Sequence, residues 1–261
     1  MKQFSFSVFL LFLLFTLAIG GCKSTVEPER TQFNSNLSYG TMTDVEGNTY
    51  KTITIGTQTW MAENLRTSKY RDGTAIPNVE DTTTWKTTKL GAWCYYGNDV
   101  AKGAIYGKLY NWHTVVDTHK LAPEGWHIPT TAEWTTLQKY VDTLTNVLSS
   151  KAANINDSLV KKSITKALSS QSKWISCPTL GAIGNNPYVN NQTGFSALPG
   201  GNRYLNGSFN LLDSDGFWWT VTSASATAVV ATYRNFSYSF SGIYNYTDSK
   251  QNGYSVRCVK D

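Results

Sequence analysis

Gly125-Trp126-His127-Ile128-Pro129-Thr130-Thr131-Ala132-Glu133-Trp134 decides the reading of this chain, because it turns an extended segment directly into the longest helical pattern. Pro129 holds the residue before it out of the helical region. Thr130 is placed as N-cap, and Glu133, three residues on, completes a capping box. Behind the cap, Trp134, Leu137, Val141, Leu144 and Leu148 recur at spacings of three and four, an apolar stripe that must lie against a partner, expected to be a sheet. Trp126 and Ile128 alternate on the approach, so one indole stands on either side of the corner. His127 lies between them and is expected to face away from the buried side chains, or to donate to a backbone carbonyl, in a structural role.

The same stretch resembles the signature of the Fibrobacter succinogenes major paralogous domain, a bacterial cell-surface module. Further blocks match in order: Asp44–Tyr50, Ile55–Leu65, Gly107–Trp112, Gly194–Gly201, Gly216–Trp219 and Ser255–Val259. Any one block alone is weak, but the ordered set is specific. The resemblance implies an α+β, C-type-lectin-like fold distantly related to that of the formylglycine-generating enzymes. In that fold the first and last strands pair and a long loop-rich half presents the ligand surface.

Upstream of the domain, Lys2 precedes the mostly apolar run Phe4–Ile19, and Ile19-Gly20-Gly21-Cys22 resembles a bacterial lipobox. Residues 1–21 are therefore expected as a lipoprotein signal peptide, and Cys22 as the lipidated residue that anchors the protein in a membrane. Residues 22–38 are expected as a polar tether and 39–261 as the domain. Lys23, rather than aspartate, after the acylated cysteine implies transport to the outer membrane of the cell envelope. Removing residues 1–21 takes away one basic residue and no acid, leaving 22 basic against 18 acidic, a mild +4. Without a run of like charges or a basic face interleaved with aromatics, nucleic acid is not expected as a partner.

With Cys22 lipidated, Cys94, Cys177 and Cys258 are left, so at most one intramolecular disulfide can form. The family commonly carries a cysteine before its Pro-x-Gly-Trp-His block, where this chain has Ala122. The resemblance therefore points to Cys94–Cys258 as a substitute pair, the leftover thiol being a buried small hydrophobe.

Along the domain, Tyr50–Ile55 and the segment through Trp60 read as a hairpin turning at Gly56. Gly91–Tyr96 reads as a strand, and Tyr106–Val116 fits either a short helix or a strand. Leu159, Val160, Ile164, Ala167 and Leu168 share a helical face, with Asp157 or Ser158 near the cap. After Lys173 only short strands are expected, with Asn206-Gly207 as a two-residue hairpin turn. The expected architecture is two helices packed on short twisted antiparallel strands with a loop-rich C-terminal half.

No motif for catalysis is found. His113, His119 and His127 are too scattered for a metal site, no nucleophile elbow is present, and no two carboxylates are fixed across a cleft. The copper-binding cysteines of formylglycine-generating enzymes have no counterpart in Trp218–Tyr246, and the sugar-binding triplets of calcium-dependent lectins are absent. Asp213 and Asp215 read as a solvated turn. Neither metal nor cofactor is expected.

Gly200–Asn252 is instead crowded with Asn, Ser, Tyr and Trp, side chains that give large amphipathic contact area at low entropic cost. Strand parity sends about half inward, with Trp218 or Trp219, Phe195, Phe236 and Phe240 expected in the core. Asn202, Arg203, Tyr204, Trp219, Tyr233, Arg234, Asn235, Tyr238 and Tyr244 are the candidate ligand contacts. The expected function is a lipid-anchored envelope module that binds a glycan or protein without catalysis. The alternatives are an envelope enzyme acting on polysaccharide and a purely structural lipoprotein.

Overall fold

The computed structural model of the chain describes residues 31–150, 163–223, 225 and 227–261. The expected signal peptide, the expected lipidation site Cys22, the first part of the expected tether and the expected cap at Asp157 or Ser158 lie outside the described residues.

The capping box forms as expected. Glu133 N donates to Thr130 Oγ1 at 3.2 Å, and Thr130 N donates to Glu133 Oε2 at 2.8 Å, at the start of a 20-residue helix, Thr131–Ser150. Three shorter helices precede it: α1 (Thr82–Thr87), α2 (Val100–Tyr106) and α3 (Trp112–Val115). The long helix is α4, and α5 is Ile164–Leu168. Each of α1, α2 and α3 starts at a residue whose side chain caps it, Asp81, Asp99 and Asn111 in turn. Of these, α1 and α2 were not expected, because threonine-rich and glycine-containing runs have poor helix propensity, whereas α3 falls in the segment left open between helix and strand. In α1 the burial of Trp85 overrides that preference. Of the second expected helix, Ile164, Ala167 and Leu168 lie in α5, which Ser163 caps, while Leu159 and Val160 lie outside the described residues.

Two five-stranded sheets carry the rest. The first runs β1 (Gly40–Thr43), β2 (Thr49–Ile55), β3 (Gln58–Met61), β12 (Val259–Lys260), β6 (Trp126–His127), so the N-terminal hairpin shares a sheet with the final strand. The second runs β11 (Tyr244–Ser249), β10 (Val230–Ser237), β9 (Asp215–Ser223), β7 (Gly200–Arg203), β8 (Phe209–Leu212). A short pair, β4 (Trp93–Cys94) and β5 (Leu109–Tyr110), fills a corner. Tyr106–Val116, open between helix and strand, is thus the end of α2, then β5, then α3. The chain is α+β, richer in strand than the two-helix expectation allowed.

Sheet parity explains the aromatic core. Trp60 and Met61 on β3, and Trp218 and Trp219 on β9, face opposite ways, and all four are fully buried because both faces of each sheet are covered. Trp218 joins Trp60, Trp134, Phe195 and Phe236 in the core beneath α4, whereas Trp219 joins Phe217, Tyr110 and Tyr254 on the other side. Of the α4 stripe, Trp134, Leu137 and Val141 are buried there. Leu144 and Leu148 instead border an open cavity with Leu37. That contact revises the tether: Phe33 and Leu37 pack on this core, and Asn34 donates to the Asn191 carbonyl at 2.9 Å.

The Asn206-Gly207 hairpin joins β7 to β8, but not through a two-residue turn. Gly207 N donates to the Tyr204 carbonyl, Tyr204 N to the Ser208 carbonyl, and only Gly207 takes a positive φ, +88°. This is the three-residue loop that closes with glycine in the left-handed region.

Candidate aromatic binding face

The outer half of the second sheet gathers the exposed aromatics. Tyr233 on β10 is paired with Trp219 on β9 and with Tyr246 on β11, while Asn235 is paired with Phe217 and Tyr244. These residues share one face, which passes from the buried Trp219, through the half-buried Tyr233, to Tyr246, 54% exposed on the edge strand. The rings form a ladder: Phe240 stacks on Tyr244 at 4.4 Å between centroids, Tyr244 on Tyr246 at 5.5 Å, and Tyr246 lies 6.4 Å from Tyr233. Two carboxylates border it. Asp248 accepts from the Tyr254 hydroxyl at 2.9 Å, and Asp215 accepts from Asn235 at 3.0 Å and from the Ser237 hydroxyl at 3.3 Å. Burial pushes Asp215 above the usual carboxylate range. Burial also pushes the Tyr233 phenol up to about 12, helped by Asp248 and by the phenols of Tyr204 and Tyr246.

Of the expected contacts, Tyr233 and Tyr244 are therefore brought together, and Tyr246 and Phe240 belong with them; Tyr204, 37% exposed, follows β7, two strands away from β10. Phe240, expected in the core, is 39% exposed. The i, i+2 spacing of Tyr244 and Tyr246 on an edge strand was the sequence signal for the second of these; nothing local marked Phe240. Tyr238 is only partly exposed and packs against the core beneath α4.

Five expected contacts are corrected, because Asn202, Arg203, Trp219, Arg234 and Asn235 are all buried. Arg203 is a structural clamp: its guanidinium donates to the carbonyls of Val79 at 2.6 Å and Glu80 at 2.7 Å, between the rings of Trp85 and Phe209. Arg234 donates to Asn245 Oδ1 and, at 3.1 Å, to the Thr131 carbonyl, tying β10 and β11 to the first turn of α4. The Trp219 indole donates to the Tyr110 carbonyl at 2.8 Å. Parity alone treated the second face of the sheet as solvent, and here its inner part, around Phe217 and Trp219, is a second core.

The Cys94–Cys258 pairing is also corrected. Cys94, Cys177 and Cys258 are free and buried; Cys94 packs with Trp85 and Leu109, and Cys258 in the separate core around Met61 and Tyr254. Among the described residues no group of three His, Cys, Asp or Glu side chains converges to hold a metal.

His127 does more than face outward. Its Nε2 meets Glu133 Oε1 and its Nδ1 meets Asp261 Oδ1, both at 2.6 Å. Partial burial works against a charged ring, yet the two carboxylates outweigh it and raise the imidazole above its ordinary value. Both nitrogens are thereby committed to the fold, leaving neither free to accept a proton from a ligand in the adjoining cavity of about 450 Å³. The ring clasps β6 and the residue after β12 to the first turn of α4.

The chain matches the Fibrobacter succinogenes major domain over residues 53–260, and it belongs to that family. No curated protein and no solved structure matches it.

Proposed function

We propose that this protein is a lipid-anchored module of the bacterial cell envelope that binds a glycan on the face formed by Tyr233, Phe240, Tyr244 and Tyr246, within a C-type-lectin-like fold. The observation that carries the reading is the ladder of stacked rings on an edge strand. Sugar rings present C–H faces to aromatic planes, while carboxylates such as Asp215 and Asp248 accept from sugar hydroxyls. Four adjacent, partly exposed rings give that chemistry a surface longer than one saccharide unit, suited to a polymer. The lipobox-like Ile19–Cys22 and the shared sheet of the N-terminal hairpin and final strand support the anchoring and the fold in turn.

The test is binding of the detergent-solubilised full chain to an arrayed glycan panel, with and without EDTA. Saturable binding that survives EDTA, and falls at least tenfold in Tyr244→Ala/Tyr246→Ala while the melting temperature holds, is the expected result. Binding unchanged in that variant, or no glycan bound at all, would refute the assignment.

A further inference from the structure

Lys108 is only 5% exposed, yet its ammonium finds no hydrogen-bond acceptor among the described residues. Its Nζ lies 3.8 Å from the centroid of the Trp93 ring and 5.7 Å from that of Tyr95. One side of the charge is therefore met by π-density, and the other opens on a cavity of about 400 Å³ bordered by Glu46, Asn48, Arg66, Ser68 and Tyr95. A buried ammonium that gives up its water is costly unless donors are satisfied.

The other charges around the cavity are already committed. Glu46 accepts from the Ser68 amide, the Ser68 hydroxyl and the Thr67 hydroxyl. Asp44 accepts from the Tyr50 hydroxyl at 2.6 Å and from Asn48. Arg66 donates to Glu63 and to the Thr49 carbonyl, with its guanidinium over the Tyr50 ring. Lys108 alone lacks a hydrogen-bonded partner, although Glu46 and Asp44 stand close enough to favour its charge. Its aromatic wall is held in place by Gly103 on α2, where a Cβ would stand 2.1 Å from the Tyr95 ring.

We propose that this cavity is a second ligand site, taking the carboxylate of an acidic saccharide, a uronic-acid residue, onto Lys108. One unpartnered ammonium matches a singly charged carboxylate, whereas the Glu46 wall opposes the denser charge of a phosphate. The Tyr95 ring offers a stacking plane, and the Asn48 side-chain carbonyl offers an acceptor for a ring hydroxyl. The site shares no residue with the aromatic face and stands independently of the function proposed above. Burial holds Lys108 down at about 8 against the pull of Glu46 and Asp44, so the charged form that binds an anion is lost at alkaline pH. The groups facing it are Asp44, Glu46, Arg66 and the Tyr95 phenol, itself raised by burial.

The experiment is calorimetric titration of the full chain with sodium glucuronate and sodium galacturonate, with glucose and inorganic phosphate as comparators. Lys108→Met keeps an unbranched side chain of similar length beside Trp93 and removes the charge. Saturable uronate binding that weakens at least tenfold in Lys108→Met and again between pH 7 and 9, persists in Tyr244→Ala/Tyr246→Ala, and exceeds that of glucose and phosphate supports the site. Should Lys108→Met unfold, the second variant, Tyr95→Ala, is expected to weaken binding severalfold. No uronate binding to the wild-type chain, equal binding by Lys108→Met, or phosphate binding as tightly as uronate overturns it.

Discussion

Arg257 Nε donates to Asn64 Oδ1 at 2.9 Å, joining two fully or nearly buried side chains 193 positions apart in the chain. The same Asn64 oxygen accepts from the Trp218 indole at 2.9 Å, and the Asn64 amide donates to the Tyr106 carbonyl at 2.8 Å. The Arg257 guanidinium continues to the carbonyls of Phe195 and Ser196 and lies over the Phe195 ring. The separate blocks Ile55–Leu65, Gly194–Gly201, Gly216–Trp219 and Ser255–Val259 thus meet at one buried polar junction, which orients the two sheets.

Replacing Arg257 with methionine should cost about 3–5 kcal/mol, because it strips the buried Phe195 and Ser196 carbonyls of their guanidinium donors and leaves the Asn64 oxygen with the Trp218 indole alone. Urea unfolding of the variant measures this. A loss below about 1 kcal/mol would show that the junction contributes little.

Lys166 is a second buried ammonium, but a satisfied one, donating to the carbonyls of Ala182, Asn185 and Asn186. Among the described residues no carboxylate shares the site, and the charge is met there by peptide dipoles. Lys166→Ala is expected to destabilise the chain by about 2–3 kcal/mol and to speed amide exchange in residues 182–190 before the sheets exchange. Uniform protection in the variant would contradict the clamp.

The His127 clasp predicts a pH dependence. A histidine raised in the folded state stabilises fully below its unfolded value, about 6.5, and that contribution is lost as pH rises through the raised folded value. The ring is partly exposed, so solvent screening limits the effect to about 1 kcal/mol. His119, raised by Asp117, titrates in the same sense, so the measurement is the difference between wild type and His127→Gln. Their melting temperatures should converge as pH rises from 6 to 9; a constant gap would assign the ring a packing role only.

Free, buried thiols predict indifference to reductant. Burial pushes Cys94 up to about 12 and Cys258 higher still, so neither supplies thiolate at neutral pH. Dithiothreitol should leave the melting temperature within about a degree, and Cys94, Cys177 and Cys258 should react with a thiol reagent only after unfolding. A drop of several degrees on reduction would restore a disulfide.

What could be read in advance was local. The Thr130–Glu133 capping box, the stripe beginning Trp134, Leu137, Val141 and the β2–β3 hairpin at Gly56 depend on residues within a few positions of each other. The α1 and α2 helices were missed and α3 was left open, because each is a weak helix former stabilised by a cap and one buried aromatic, Trp85, Tyr106 or Trp112.

The candidate face was half legible for the same reason. Period-two alternation assigns residues to two sides of a strand but does not say which sides are covered. Only the packed structure puts Trp219, Arg234 and Asn235 inside, leaves Phe240, Tyr244 and Tyr246 outside, and brings Asp261 to His127 from 134 positions away. By itself, the sequence determined the family, the corner at Pro129 and the long helix, because these are encoded in short-range backbone preferences and ordered motifs. The tertiary structure decided which polar side chains are clamps and which are free to meet a ligand. Burial and long-range hydrogen bonding are properties of the folded whole, not of any one segment.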